Sequence, residues 1–111
     1  MKTVAILTAT YNRADTLPKL YESLRAQTSF DFAWYIIDDG SRDHTDSVVR
    51  RFATDLFDIH YIQKENGGRH TALNLGFQIA QEELFFPVDS DDWLTPDAVE
   101  TIILNWPAYR N

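Results

Sequence analysis

Four short, nearly continuous apolar runs, each separated from the next by a segment with helical periodicity, constrain this chain more than any other feature. The runs are residues 3–7 (TVAIL), 33–37 (AWYII), 59–62 and 84–88 (LFFPV). A strand with one wet face alternates apolar and polar residues, whereas an unbroken apolar strand is covered on both faces, as in parallel sheets. Between the runs, Leu17, Leu20, Tyr21 and Leu24 fall on one helical stripe, with Pro18 in its first turn. Val48, Val49, Phe52 and Leu56 predict the inner face of a second helix, capped by Asp43 or Thr45. After the break at Gly67-Gly68, a third stripe runs through Leu73, Gly76, Phe77 and Ala80. A fourth, with Thr95 as N-cap and Pro96 at its first position, carries Val99, Ile102, Ile103 and Trp106. Four β-α repeats predict a three-layer α/β/α domain with a mainly parallel sheet and right-handed crossovers. The loops that leave the strands then gather at the sheet's carboxyl edge, where open α/β sheets bind ligands.

Composition narrows the partners. The 111 residues suffice for one domain with a real core, expected to be a single unit over residues 1–111. A net charge of −7, with no clustered basic surface, argues against nucleic acid. No apolar stretch approaches the roughly 18 residues that span a bilayer, and the start lacks a signal-peptide layout. With no cysteine there are no disulfides or thiolate metal ligands, and a cytoplasmic setting is the expectation.

The residues that end each run carry the chemistry. Residues 8–13 (TATYNR) follow the first run: Tyr11 is placed to stack on a base, and Thr8 or Thr10 to bond its edge. An ordinary polar loop with a helix cap accounts for the same residues. Neither a GxGxxG fingerprint nor a P-loop is present, which weakens oxidoreductase and P-loop ATPase readings. Asp38-Asp39-Gly40-Ser41 follows the second run. An acid there holds a ribose in many nucleotide-binding sheets, and a tight Asp-Gly turn is the simpler alternative. Asn66-Gly67-Gly68-Arg69-His70 reads either as a flexible loop or as glycines that bring backbone close to a ligand, with Arg69 facing a phosphate.

Asp89-Ser90-Asp91-Asp92 concentrates three acids where the fourth run ends. In extended geometry Asp89 and Asp91 share a face. At about 4 Å two like charges repel by roughly 1 kcal/mol in water and more near protein, a penalty that a divalent cation removes. Helix capping explains one such acid but not three. An EF-hand loop is rejected, because Trp93 and Leu94 occupy positions that need an oxygen ligand and a glycine.

Taken in order, residues 8–13, Ala26-Gln27-Thr28, Ile37-Asp38-Asp39-Gly40-Ser41 with Asp43 and Thr45, Asn66-Gly67-Gly68 with residues 72–76 (ALNLG), and Asp89-Ser90-Asp91-Asp92 resemble the donor-binding half of a family 2 glycosyltransferase. The resemblance covers essentially the whole chain. It implies the GT-A fold, Rossmann-like and truncated here, and an inverting sugar transfer from a nucleotide-diphosphate donor, a UDP-sugar above all. It assigns Thr8, Thr10, Tyr11, Asn12, Asp38, Asp39, Arg69, Asp89 and Ser90 to the nucleotide-sugar, with Asp39 reading the base edge and Asp38 supporting its loop. Asp91, with Asp89, would ligate Mn²⁺ or Mg²⁺ as the family's DXD motif.

The family's general base lies downstream of that motif. Here only Asp97 and Glu100 follow, so the base is expected beyond Asn111 and no catalytic residue within the chain. A nucleotide-sugar-binding module without turnover is the alternative. Nucleotidyl transfer on sugar phosphates would need a glycine- and lysine-rich first loop that residues 8–13 lack. An exposed edge, where an acceptor-binding half would pack, is an expected place for two chains to pair, and a lipid acceptor would bring the chain to the inner face of a membrane.

Overall fold

The structure, a computed structural model, describes residues 2–110, with side chains described through Asn105. The expected alternation is present: β1 (Val4–Thr10), α1 (Leu17–Arg25), β2 (Phe32–Asp38), α2 (Thr45–Arg50), β3 (Asp58–Gln63), α3 (Arg69–Ile79), β4 (Leu84–Pro87) and α4 (Ala98–Arg110). The strands are parallel, in the order β3-β2-β1-β4. The chain steps outward from β1 through β2 to β3, then returns past β1 to lay β4 on its other side. With right-handed crossovers that reversal moves α3 to the face opposite α1 and α2.

Two cores follow from the pleat. On one face Val4, Ile6, Trp34 and Ile36 pack against Leu17, Leu20 and Leu24 of α1, Val49 of α2 and Val99 of α4. Tyr21, Phe52 and Trp34 stack there, the first two with ring centroids 4.2 Å apart. On the other face Ala5, Leu7, Tyr35 and Ile37 meet Ala72 of α3. All four residues of the predicted α1 stripe are buried, and Pro18 sits in the first turn.

Several expectations change in detail. β1 runs on through residues 8–10, expected as loop, because threonine is β-branched and the Thr8 hydroxyl is satisfied inside by the Trp34 indole N–H at 2.9 Å. β3 and β4, expected to be buried, are the edges of this sheet and alternate in burial accordingly. Leu84 and Phe86 face the first core, while Phe85 is exposed and meets Phe77, 5.5 Å away. Phe77 therefore points outward, against the predicted stripe. The inner face of α3 is Ala72 and Gly76, small residues that let the helix settle on Leu7 and Ile37. Leu56 is exposed because α2 ends at Arg50, and Phe57 takes the buried place.

At the helix starts, Asp43 accepts the Thr45 N–H at 3.0 Å from just outside α2. α4 starts at Ala98 and not at Pro96, with the Thr95 carbonyl accepting the Ala98 N–H at 3.1 Å. The inward placement of Trp106 lies outside the described side chains. Among the described residues no helix is long and apolar enough to cross a membrane.

Gln27, just past α1, clamps this last helix to the body. It is buried, donates to the Thr95 carbonyl at 2.8 Å and the Ser23 carbonyl at 3.1 Å, and accepts the buried Val99 N–H at 3.0 Å. Thr28 adds a backbone bond to the Pro96 carbonyl at 2.8 Å. Gln27→Ala strands a buried amide and a carbonyl, and is expected to lower stability by about 1–3 kcal/mol with an unchanged m-value in urea unfolding.

Candidate functional site

Strand register builds the site. Thr10 lies opposite Asp38, and Asp38 opposite Gln63, so β1, β2 and β3 end level. β4 pairs last at Leu7↔Pro87 and leaves three residues sooner, so the acids after it run beside the end of β1. The Val88 N–H still bonds the Leu7 carbonyl at 2.9 Å, and the Thr16 hydroxyl holds the Ser90 carbonyl at 3.1 Å. The result is a cavity of about 340 Å³ walled by Thr10 at the end of β1 and Tyr11 just past it, Asp39 just past β2, Arg69 from α3, and Ser90 and Asp91 after β4, with Ala9, Arg13 and Asp89 completing it.

The acids do not continue the strand. The Asp92 N–H donates to the Asp89 carbonyl at 3.0 Å, closing a turn. The shared face expected of Asp89 and Asp91 in an extended chain is thus replaced by a tighter gathering that includes Asp92. Each of the three offers an oxygen within 4.8 Å of the others, and all three are exposed. Arg69 stands across from them, its Nη2 donating to Asp89 Oδ1 at 2.7 Å and its Nε at 3.2 Å. Both side chains of this pair are more than half exposed, so it contributes little to stability.

Asp39 is nearly enclosed. Its Oδ1 accepts Lys64 Nζ at 2.8 Å and the Gly67 N–H at 2.9 Å; its Oδ2 accepts the Gly68 N–H at 2.9 Å and Asn66 Nδ2 at 3.3 Å. The double glycine therefore brings backbone amides to a carboxylate of the protein itself, with Gly68 at φ +102° and Gly40, at φ +83°, packed where a Cβ would lie 3.0 Å from Asn66 N. Burial works to raise the Asp39 pKa, but the Lys64 hydrogen bond, the two glycine amides and the Lys64 charge outweigh it and hold the carboxyl below its ordinary range. Asp38, 1% exposed, accepts the Ser41 N–H at 2.8 Å and the Tyr61 hydroxyl, which fixes the turn after β2. Burial and that bond push the Tyr61 phenol up.

Three residues expected at the ligand do not line the cavity: Asp38, held in the turn after β2, and Thr8 and Asn12. Thr8 is wholly buried on the Trp34 bond and does not wall the cavity. Asn12 spends its Oδ1 on the N–H groups of Arg42 at 2.7 Å and Asp43 at 3.3 Å, and its own N–H donates to Ser41 Oγ at 2.8 Å. It joins the loops after β1 and β2 in a left-handed conformation, φ 55°, that asparagine tolerates. Thr10, Tyr11, Asp39, Arg69, Asp89, Ser90 and Asp91 do come together at the cavity. Ala9 and Arg13 join them in the lining, and Lys64 stands behind Asp39, without having stood out in the sequence. Nothing local marked Lys64, which stands two residues ahead of Asn66-Gly67-Gly68.

The donor set suits a hard divalent cation beside a polar ligand: three carboxylates converge, and the Thr10 hydroxyl, 2% exposed in the cavity wall, has no protein partner. A wider groove of about 900 Å³ lies along β3 and the end of α3, lined by Tyr35, His60 and Glu82 among others. It has no comparable gathering of acids and no orphaned buried atom, so the smaller cavity is the better candidate.

The sheet order and its switch point are those of the GT-A α/β fold, of which this chain forms the N-terminal part. The chain matches the model of Glycosyl transferase family 2 over residues 5–110, and it belongs to that family. It is 33% identical over 100 residues to EpsH of Bacillus subtilis (strain 168), a protein with a glycosyltransferase name, covering 90% of this chain and 29% of EpsH. Among solved structures, S. aureus TarS 1-349 in complex with UDP-GlcNAc superposes with a TM-score of 0.89 at 24% identity, over 99% of this chain and 32% of that one. The mannosyltransferase PcManGT from Pyrobaculum calidifontis, in complex with GDP-Man and Mn2+, superposes at 0.84 and 24% identity, over 95% and 32%. These two likenesses establish the fold. The chain spans about a third of the length of these relatives or less.

The depressed Asp39 pKa has a defined sign. Its contribution to stability is complete above the ordinary value of 3.8 and is lost as pH falls through the lower folded value. Asp39→Asn is expected to be less stable than wild type at neutral pH and to show a shallower acid limb below about pH 4 in urea titrations. An acid limb of unchanged slope contradicts the bonding described for this carboxylate.

Proposed function

We propose that this chain forms the donor end of an inverting, metal-dependent hexosyltransferase, binding a nucleotide-diphosphate sugar, UDP-linked above all, for transfer to an acceptor hydroxyl. The observation that carries the reading is the single cavity shared by an exposed aromatic ring, an enclosed carboxylate, an arginine and an acidic turn. Tyr11, 43% exposed at the cavity, offers its face to a base, and Asp39 lies deeper as acceptor for the base edge. Ser90 and Thr10 line the path of ribose and phosphate, and Arg69 is placed to exchange Asp89 for a phosphate oxygen. Asp91, with Asp89 and the adjacent Asp92, would hold Mn²⁺ or Mg²⁺ as a DXD-type site; when bound, such a cation neutralises charge that develops on the departing diphosphate.

In the transfer, the acceptor oxygen bonds to the anomeric carbon as the bond to the diphosphate breaks. The acceptor proton passes to a base and the nucleoside diphosphate departs. Asp97 and Glu100 are engaged elsewhere, with Thr95 and Thr28, so the base is proposed to come from outside this stretch. The chain acts here as one donor-binding unit over residues 1–111.

Calorimetry with UDP, with and without Mn²⁺, tests this. Asp91→Ala is expected to remove the metal-dependent part of nucleotide affinity while the thermal unfolding midpoint holds, since the side chain is exposed. Tyr11→Ala should weaken UDP by roughly 5- to 100-fold with or without metal, in keeping with stacking worth about 1–3 kcal/mol per base. No UDP binding by the wild type, or a Tyr11 effect seen only with metal, contradicts the proposal.

A further inference from the structure

Lys64 is the residue that the proposed reading leaves without a task, and its surroundings are unusually complete. It follows β3 directly, its backbone N–H bonded to the Asp38 carbonyl at 2.9 Å. Its ammonium has three protons and three acceptors: Asp39 Oδ1 at 2.8 Å, Thr71 Oγ1 at 3.0 Å and the Glu65 carbonyl. Only about a fifth of the side chain is exposed, against 6% for Asp39. Thr71 in turn donates to the Gly68 carbonyl at 2.7 Å, so the lysine is fixed to the first turn of α3. A surface lysine usually keeps its head in water; this one is spent entirely on the wall behind the cavity.

The consequence lies in what Asp39 can still accept. A carboxylate has about four lone-pair sites, and four donors occupy them. Three are held firmly: the two glycine amides by the backbone and Lys64 by its own bonds. Asn66 is the exception, since it sits at 3.3 Å on Oδ2 and keeps a 2.9 Å bond to the Asp39 backbone carbonyl if it lets go. One direction on Oδ2 is therefore open to an incoming group, and only to a donor.

We infer that Lys64 is a positioning residue that holds Asp39 as an acceptor-only group in one orientation, and so selects bases that present a ring N–H. Uracil and guanine carry such a proton on the ring nitrogen of their pairing edge, whereas cytosine and adenine present a lone pair there. A lone pair facing a fixed carboxylate leaves both unsatisfied and is rejected, as in sites built to bond a particular substrate hydrogen. With a neutral side chain at this position, Oδ1 loses the charged donor that fixes it, and the carboxylate can turn off the base edge, so uracil loses its bond while cytosine loses nothing.

The inference rests on the nucleotide-site reading, and one experiment separates the two. UDP and CDP are titrated calorimetrically, with Mn²⁺ present, into wild type, Lys64→Gln and Lys64→Arg. Wild type is expected to favour UDP by at least about tenfold, as a bond to a charged group implies. In Lys64→Gln the ratio should fall to about threefold or less, and in Lys64→Arg, which keeps the charge and its donors, it should return towards wild type. A lysine with a purely structural part weakens both nucleotides equally, so a wild-type ratio in Lys64→Gln overturns the inference whatever the absolute affinities. Should Lys64→Gln not fold, Asp39→Asn, whose amide can present either an acceptor or a donor, is expected to lose the same selectivity, and a retained ratio there is equally fatal. A wild type that binds neither nucleotide overturns the site reading, and this inference with it.

Discussion

Everything at the carboxyl edge depends on one buried anion. Asp39 follows β2 and is met by the amides that lead into α3 and by a lysine that has left β3, so a single carboxylate ties together two successive β-α connections. The charge is stabilised as a helix N-terminus stabilises anions, with backbone N–H groups aimed at it and a fixed cation beside it. Remove it and Gly68 loses the partner that holds its positive φ, Arg69 loses its starting point, and the cavity loses its rear wall. Asp38 performs a parallel service one residue earlier, anchoring the turn to the Tyr61 hydroxyl, and Asn12 links that turn to the one after β1.

The second constraint is topological. Because the chain reverses direction across the sheet after β3, β4 lies beside β1, and the cavity opens outside their carboxyl ends at that switch point. The early departure of β4 lets the acidic turn run beside Thr10 and Tyr11 instead of projecting beyond them. Three carboxylates in one turn, with only Arg69 opposite Asp89, repel one another, and nothing in the fold requires all three. A divalent cation, as the proposed function places there, would relieve that repulsion.

The sheet, its parallel strands and the α1 stripe were legible in the sequence because continuous apolar runs and a 3.6-residue period are local signals. Edge position was not: residues 84–88 are as apolar as a central strand, and only the pairing order reveals that Phe85 faces outward, where it covers Phe77. Thr8 misled because a polar residue at the end of an apolar run reads as loop, while its hydroxyl is satisfied by an indole 26 positions away. Such partners are invisible without the fold. The acids of the site stood out as a cluster, and so did the glycines. Lys64 did not, since nothing local distinguishes a lysine that will bond three acceptors from one in water. Asn12 was noticed, but its part in joining the loops after β1 and β2 was not, its left-handed backbone having no sequence signal beyond the residue type.

The most direct test of the central claim, that these connections form one nucleotide-diphosphate site, is an amide chemical-shift map of the protein titrated with UDP and Mg²⁺. The account predicts the largest changes at Tyr11, Gly67, Gly68, Ser90 and Asp91, appearing together at one midpoint. Changes confined to the broad groove around Tyr35, His60 and Glu82, with the β1 and β4 ends still, would contradict it.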